Sequence, residues 1–330
     1  MSPSTHTATD LPAVAEQMTA GGRGVLAADE SIKTMSQRLE AAGIEATETN
    51  RRDYRQLLLT APGLADAVSG IIMSDETFGQ SLGDGRAFPV AARALGILPG
   101  IKVDTGTVPF PGAEGALLTQ GLDGLDERLE SYAARGAAFA KWRAVFDVAT
   151  TTTEVAEGNA AALAAYAAAC QRHGIVPIVE PEVLAAGEHE LVESARTTRL
   201  GLDALFAALA DEGVDLGGIV LKPNFITPGL ASRQVSARTV ASVTYDVLRA
   251  AVPAEVPGVA FLSGGHPTDR ATAFLAAINA IEGAPWHLTF SFGRALVNDA
   301  LATWKGVPAN VTQAQRALLR NCTEAAAAMR

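Results

Sequence analysis

The sequence predicts an α/β protein of the (β/α)8, or TIM-barrel, class. Eight apolar, β-rich runs recur at wide spacing along its 330 residues, with helix-length polar or alanine-rich segments between them, and nearly every run ends in charged or hydroxyl residues. Strand and helix alternating eight times suit a closed barrel, which gathers all the strand ends on one rim. An open doubly wound sheet is the alternative, and it would gather fewer of them, at its switch point only. No internal repeat beyond the alternation, no low-complexity linker and no charge shift interrupts the chain, so residues 1–330 read as a single barrel domain.

In order, the runs are RGVLAADE (23–30), SGIIMSDE (69–76), GIKVDTG (100–106), AAFAKWR (137–143), GIVPIVEPE (174–182), GGIVLKPN (217–224), GVAFLSGG (258–265) and WHLTFSFGRA (286–295). Each is short and bounded by Gly, Pro or polar residues, as a strand buried on both faces should be. The intervals carry helix signals. TETNRRDYRQLLLT offers Thr47 or Thr49 as an N-cap, and GNAAALAAYAAACQRHG is closed by Gly174. The polar ends are Asp29 and Glu30; Asp75 and Glu76; Lys102 and Asp104; Lys141 and Arg143; Glu180 and Glu182; Lys222; Ser263; then Ser291 and Arg294.

With 48% hydrophobic residues the chain can fill a core, and its net charge of −10 comes without any basic block or tail, which argues against nucleic acid as a partner. A few cations converging in one pocket would still hold an anionic small molecule. Cys170 and Cys322 form no framework or CxxC spacing, which suits a reducing cytosol. The opening MSPSTHTATDLPAVAEQ has no cationic segment leading into an apolar one, and no uninterrupted apolar stretch is long enough to span a membrane, so a soluble cytoplasmic protein is expected. His6, His173, His189, His266 and His287 lack zinc-ligand spacing, and GxGxxG and GxxxxGK[ST] are absent; no metal and no cofactor is expected.

Lysine is scarce: five among 26 basic residues, yet Lys102, Lys141 and Lys222 all lie in the strand-like runs. Burial disfavours a charged amine, and a neutral amine is a nucleophile towards a ketone, so Lys222 in the most apolar run suggests Schiff-base chemistry, with Lys141 as the neighbouring cation. Glu180 and Glu182 stand two apart in VEPE, on one side of an extended strand, where carboxylates with different surroundings divide acid and base roles. Asp29 is placed to take a hydroxyl proton or face an iminium, or else to cap the next helix. Ser263, Gly264 and Gly265, together with Ser291, Gly293 and Arg294, read as a phosphate cradle after the seventh and eighth runs, and Ser31, Thr34, Arg38 and Lys102 as a second one opposite. Two anion grips flanking a Schiff-base lysine imply a ketose with phosphate at both ends; a sugar-phosphate-binding protein without turnover, or an aldolase for a monophosphate, are the alternatives.

The segments GVLAADES, TNRRDYRQLLLT, GIKVDTG, TQGLDGLDER, FAKWR, GIVPIVEPE, LKPN followed by TPG, FLSGG and FSFGRAL run in order from about residue 10 to the end, and together they resemble the class I fructose-bisphosphate aldolases. The resemblance implies a barrel that cleaves fructose 1,6-bisphosphate reversibly into dihydroxyacetone phosphate and glyceraldehyde 3-phosphate, in glycolysis and gluconeogenesis, without a metal and as a homo-oligomer, a tetramer by resemblance. It also implies that Lys222 is the Schiff-base lysine, Glu180 the principal proton carrier, and Asp29, Lys141 and Glu182 supporting catalytic residues. Arg143 joins the two cradles as a substrate contact. The departures are Thr34 where Ser is usual, Phe292 where Tyr is common, unusual Lys33 and Asp75, and a sequence ending at Arg330 where animal members continue into a tail ending in Tyr.

Overall fold

A computed structural model describes residues 9–330; His6 and the first part of the leader reading lie outside the described residues. Among the described residues there are ten strands: β1 (Gly24–Ala28), β2 (Val68–Met73), β3 (Leu98–Lys102), β4 (Gly106–Pro109), β5 (Leu117–Gln120), β6 (Phe139–Phe146), β7 (Val176–Val183), β8 (Val220–Leu221), β9 (Gly258–Phe261) and β10 (His287–Phe292). Eight of them, β1, β2, β3, β6, β7, β8, β9 and β10, pair in parallel and close into a barrel, β10 returning to β1. Helices lie between successive barrel strands, as parallel pairing requires of its crossovers. The eight predicted runs correspond to these eight strands.

Two local expectations change. β4 and β5 form an antiparallel hairpin between β3 and β6 that the apolar runs did not announce, because β4 is mostly exposed and Gly106, at φ +102°, turns the chain out of β3. The sixth run is strand at Val220–Leu221 alone; Leu216–Gly218 is a 3-10 turn, and Lys222 follows the strand with its N–H donated to the Val179 carbonyl at 2.8 Å. Among the helices, Thr47 rather than Thr49 caps Glu48–Leu59, and the alanine-rich helix starts earlier than its alanines, at Thr153, and ends before Gly174.

Side chains of a strand alternate between faces, and this parity divides the barrel interior into two levels. At the lower level Val25, Ala27, Ile72, Leu98, Phe139, Ile178, Val220 and Ala260 pack into one apolar cluster, closed below by Ala15 and Met18 of the helix Leu11–Thr19. Two residues further along the same inward faces stand Asp29, Lys141, Glu180 and Lys222, and Lys102 stands four beyond Leu98. The outward faces join the surrounding helices in a second, larger apolar cluster. The charged level therefore rests on a packed hydrophobic floor, and its groups cannot sink or drift without disturbing that floor.

The floor is shaped around the Phe139 ring. A Cβ at Gly100 would lie 2.1 Å from that ring and one at Gly70 2.9 Å from it, so the glycines of β2 and β3 make room for the aromatic side chain of β6. Gly100→Ala should lower stability by about 1–3 kcal/mol, seen as a fall in the urea midpoint. Gly83→Ala, whose Cβ would meet nothing closer than the Gln56 amide at 3.6 Å, should shift it by less than ~0.5 kcal/mol.

Candidate active site

At the C-terminal mouth of the barrel lies a cavity of about 1110 Å³, and all sixteen side chains and glycines predicted for catalysis or substrate binding line it. The parallel register explains their convergence. Lys102 of β3 stands beside Lys141 of β6, Arg143 pairs with Glu180 of β7, and Val145 with Glu182.

Glu180 is the hub. Its carboxylate reaches Lys222 Nζ at 3.0 Å with one oxygen and Lys141 Nζ at 3.3 Å with the other, and all three side chains are buried. Lys141 Nζ also lies 2.8 Å from Asp29 Oδ2 and 4.0 Å from Asp104 Oδ2. Lys141, expected from the sequence as the neighbouring cation of Lys222, is thus surrounded by three carboxylates. Asp29 does not cap the helix Ile32–Ala41; Ser31 does, accepting the Thr34 N–H at 3.2 Å. Glu182, although it shares the inward side of β7, is engaged by Arg143 nearer the solvent, so the two glutamates occupy different surroundings.

Asp104 belongs to this constellation and was noticed in the sequence only as a strand end. It is buried, pairs with Lys102, and accepts the Arg143 N–H at 3.3 Å, so it stands between the neighbouring lysines of β3 and β6. Its spacing of two from Lys102, the same spacing as Glu180 to Glu182, was the available signal. Arg55 was missed outright. It lies 2.7 Å from Glu30 and, with Arg38 on the same carboxylate, holds that carboxyl below its usual range against the opposing effect of burial.

The two groups of residues expected to form anion cradles differ in state. In the first, Gly264 and Gly265 take φ of +57° and +83°, and the His266 N–H closes the turn on the Ser263 carbonyl at 3.0 Å. Arg294 Nη2 lies 3.7 Å from where a Gly265 Cβ would be, a Gly293 Cβ would come within 3.2 Å of the Ala27 carbonyl, and the buried Ser291 hydroxyl has no hydrogen-bond partner among the described residues. Arg294 has no carboxylate partner among them either, whereas in the second cradle Arg38 is paired with Glu30 and Lys102 with Asp104. The hydroxyls of Ser31 and Thr34 there bond each other at 3.1 Å.

Comparison with known proteins agrees along almost the whole chain. The family model described as "Fructose-bisphosphate aldolase class-I" matches residues 10–330. The chain belongs to that family. Fructose-bisphosphate aldolase 2 of Caenorhabditis elegans is 47% identical over 315 residues, covering 94% of this chain and 86% of that protein, and the cytosolic fructose-bisphosphate aldolase 6 of Arabidopsis thaliana is 45% identical over 318 residues, covering 96% and 89%. Fructose-bisphosphate aldolase from Plasmodium falciparum, solved in complex with TRAP and a small molecule inhibitor, superposes with a TM-score of 0.95 at 40% identity, covering 97% of this chain and 93% of that one. The enzyme is a carbon–carbon lyase of the Schiff-base class: it cleaves fructose 1,6-bisphosphate reversibly to dihydroxyacetone phosphate and glyceraldehyde 3-phosphate, the glycolytic and gluconeogenic step, and its substrate is a phospho-sugar. Among the described residues no helix is long and apolar enough to cross a membrane.

The charges of the class I site are linked to pH in a definite direction. Burial alone would raise the Asp29 carboxyl, but Lys141, then Lys222 and Lys102, hold it well below the carboxylate range. Such a group contributes stability above its unfolded pKa of ~3.9, and loses it as pH falls towards the folded value. Burial alone would lower the Lys141 ammonium, but Asp29, Glu180 and Asp104 raise it, so its contribution is complete below its unfolded pKa of ~10.4 and is lost only as pH climbs beyond that. Lys141→Met removes the cation that holds Asp29 low. The acid limb of thermal stability should then move up by about one pH unit or more, measured by melts between about pH 3 and pH 8; an unmoved limb would show that the charges are not coupled.

Proposed function

We propose that Lys222 forms the Schiff base and that Glu180 carries the protons. Lys222 Nζ adds to the C2 carbonyl of the ketose, Glu180 supplies a proton as the carbinolamine loses water, and the iminium draws the electron pair of the C3–C4 bond as that bond breaks. The proton of the C4 hydroxyl passes to Glu180 or to Asp29, glyceraldehyde 3-phosphate leaves, and the enamine is protonated at C3 and hydrolysed. The observation that carries this reading is the buried Glu180 carboxylate in contact with two lysine amines, Lys222 at 3.0 Å and Lys141 at 3.3 Å. Lys141, tied to Asp29, keeps a positive charge beside the developing oxyanion and iminium chemistry, while Glu182 and Arg143 orient the substrate at the rim.

The 1-phosphate is assigned to Ser263, Gly264, Gly265, Ser291, Gly293 and Arg294, supported by the unpartnered Ser291 hydroxyl and the turn of two left-handed glycines, whose N–H groups form an anion-binding concavity. The 6-phosphate is assigned to Ser31, Thr34, Arg38 and Lys102. We further propose that residues 1–330 act as one barrel domain, that the chain assembles as a homotetramer, and that it works in the cytoplasm, in keeping with cytosolic relatives.

Borohydride added with substrate should reduce the imine and leave a covalent adduct on Lys222, located by peptide mass spectrometry. Lys222→Ala should neither trap nor turn over, and full turnover in that variant would sink the assignment. Glu180→Gln should lower kcat by about 10²–10⁴, with EDTA leaving the wild-type rate unchanged. Arg294→Met should raise KM for the bisphosphate by roughly ten- to a hundredfold, the worth of one charge-assisted hydrogen bond, in steady-state assays.

A further inference from the structure

The turn that receives the 1-phosphate is built on two adjacent glycines, and glycine is the residue least able to hold a conformation by itself. Something else must keep the turn in place opposite Lys222. His266, next in sequence, is 5% exposed although it stands in a loop. Its backbone N–H closes the turn on Ser263, and a Gly264 Cβ would sit 3.8 Å from its ring. The imidazole Nε2 lies 3.3 Å from the hydroxyl of Thr227, a buried residue of the loop that follows Lys222. The ring also meets Phe274 edge-on, centroids 5.2 Å apart at 87°, and Phe274 belongs to the helix Thr268–Asn279. One side chain thus joins the phosphate turn, the loop of the Schiff-base lysine and the helix behind them.

Neither ring contact needs a charge. Thr227 and Phe274 are neutral, and Arg270, the charged group acting on the ring, stacks over Phe274 and donates to Gln234. Burial, reinforced by Arg270, holds the imidazole down to about 4, so it is uncharged when the enzyme works. No step of the reaction uses it.

We infer that His266 is a positioning residue for the aldol cleavage: its ring holds the Ser263–Gly265 turn in register with Lys222, so that a ketose gripped by its 1-phosphate presents C2 to the amine. The inference rests on reading that turn as the 1-phosphate grip.

The test compares His266→Ala, His266→Gln and Thr227→Val with the wild type. Four quantities are measured: KM and kcat for fructose 1,6-bisphosphate, the inhibition constant of inorganic phosphate, and the fraction of Lys222 trapped by borohydride at saturating substrate, which counts competent sites. His266→Ala should raise KM and the phosphate constant together by about tenfold, the loss of one buried hydrogen bond, with kcat per trapped site falling by much less. His266→Gln, a neutral side chain able to reach the same hydroxyl, should restore most of the loss. Thr227→Val should reproduce the alanine effect without altering His266, which keeps the test decisive if His266→Ala folds poorly. Unchanged KM and phosphate constants in both His266→Ala and Thr227→Val would overturn the inference, as would a glutamine variant no better than alanine. Failure of the underlying site reading looks different: the wild type would show no adduct on Lys222, or Arg294→Met would leave phosphate inhibition untouched.

Discussion

Charge compensation in the upper barrel is the constraint on which the rest of the structure depends. Two lysines and two carboxylates, Lys141, Lys222, Glu180 and Asp29, stand with little or no exposure to water, and each would carry a heavy desolvation penalty alone. They are tolerable because each cation has a carboxylate within contact and Glu180 serves two amines. Parity along the strands contributes, since Asp29, Lys141, Glu180 and Lys222 each stand two residues above an apolar floor residue of the same strand or its continuation, and the Phe139 layer gives the charges a rigid base. A site of this kind is pre-organised before substrate arrives, which is where electrostatic catalysis gains most.

The same compensation makes the two ends of the cavity unequal. Arg294 is available to an anion, while Arg38 and Lys102 are already engaged with Glu30 and Asp104. A phosphate entering at the Arg294 end meets a turn and a guanidinium that need little rearrangement. On the proposed assignment, a phosphate at the other end would compete with carboxylates for its cations, gaining less from each contact and discriminating more through geometry than through charge.

Much of this was legible in the residues. Strands buried on both faces leave continuous apolar runs, and all eight barrel strands announced themselves that way. Lysine is scarce enough that three of them in such runs marked the pocket, and the i to i+2 spacing in VEPE put both glutamates on one side. What spacing could not show was register between strands. Only the pairing of Arg143 with Glu180 and of Lys102 with Lys141 separates Glu180 from Glu182 and draws in Asp104. The pairing of Glu30 with Arg38 and Arg55 is tertiary in the same sense, and the β4–β5 hairpin, largely exposed, had no apolar signature to betray it.

The participants in the pocket are drawn from Asp29 near one end of the sequence to Arg294 near the other, with strands from every part of the barrel between them. During synthesis Asp29 and Lys141 leave the ribosome long before Gly264, Gly265 and Gly293. Until β10 docks beside β1, the growing polypeptide holds ionised groups whose counter-charges are only partly assembled, over a floor not yet sealed. Ring closure and competence therefore arrive in one event, and a half-translated barrel has no partially working form to offer.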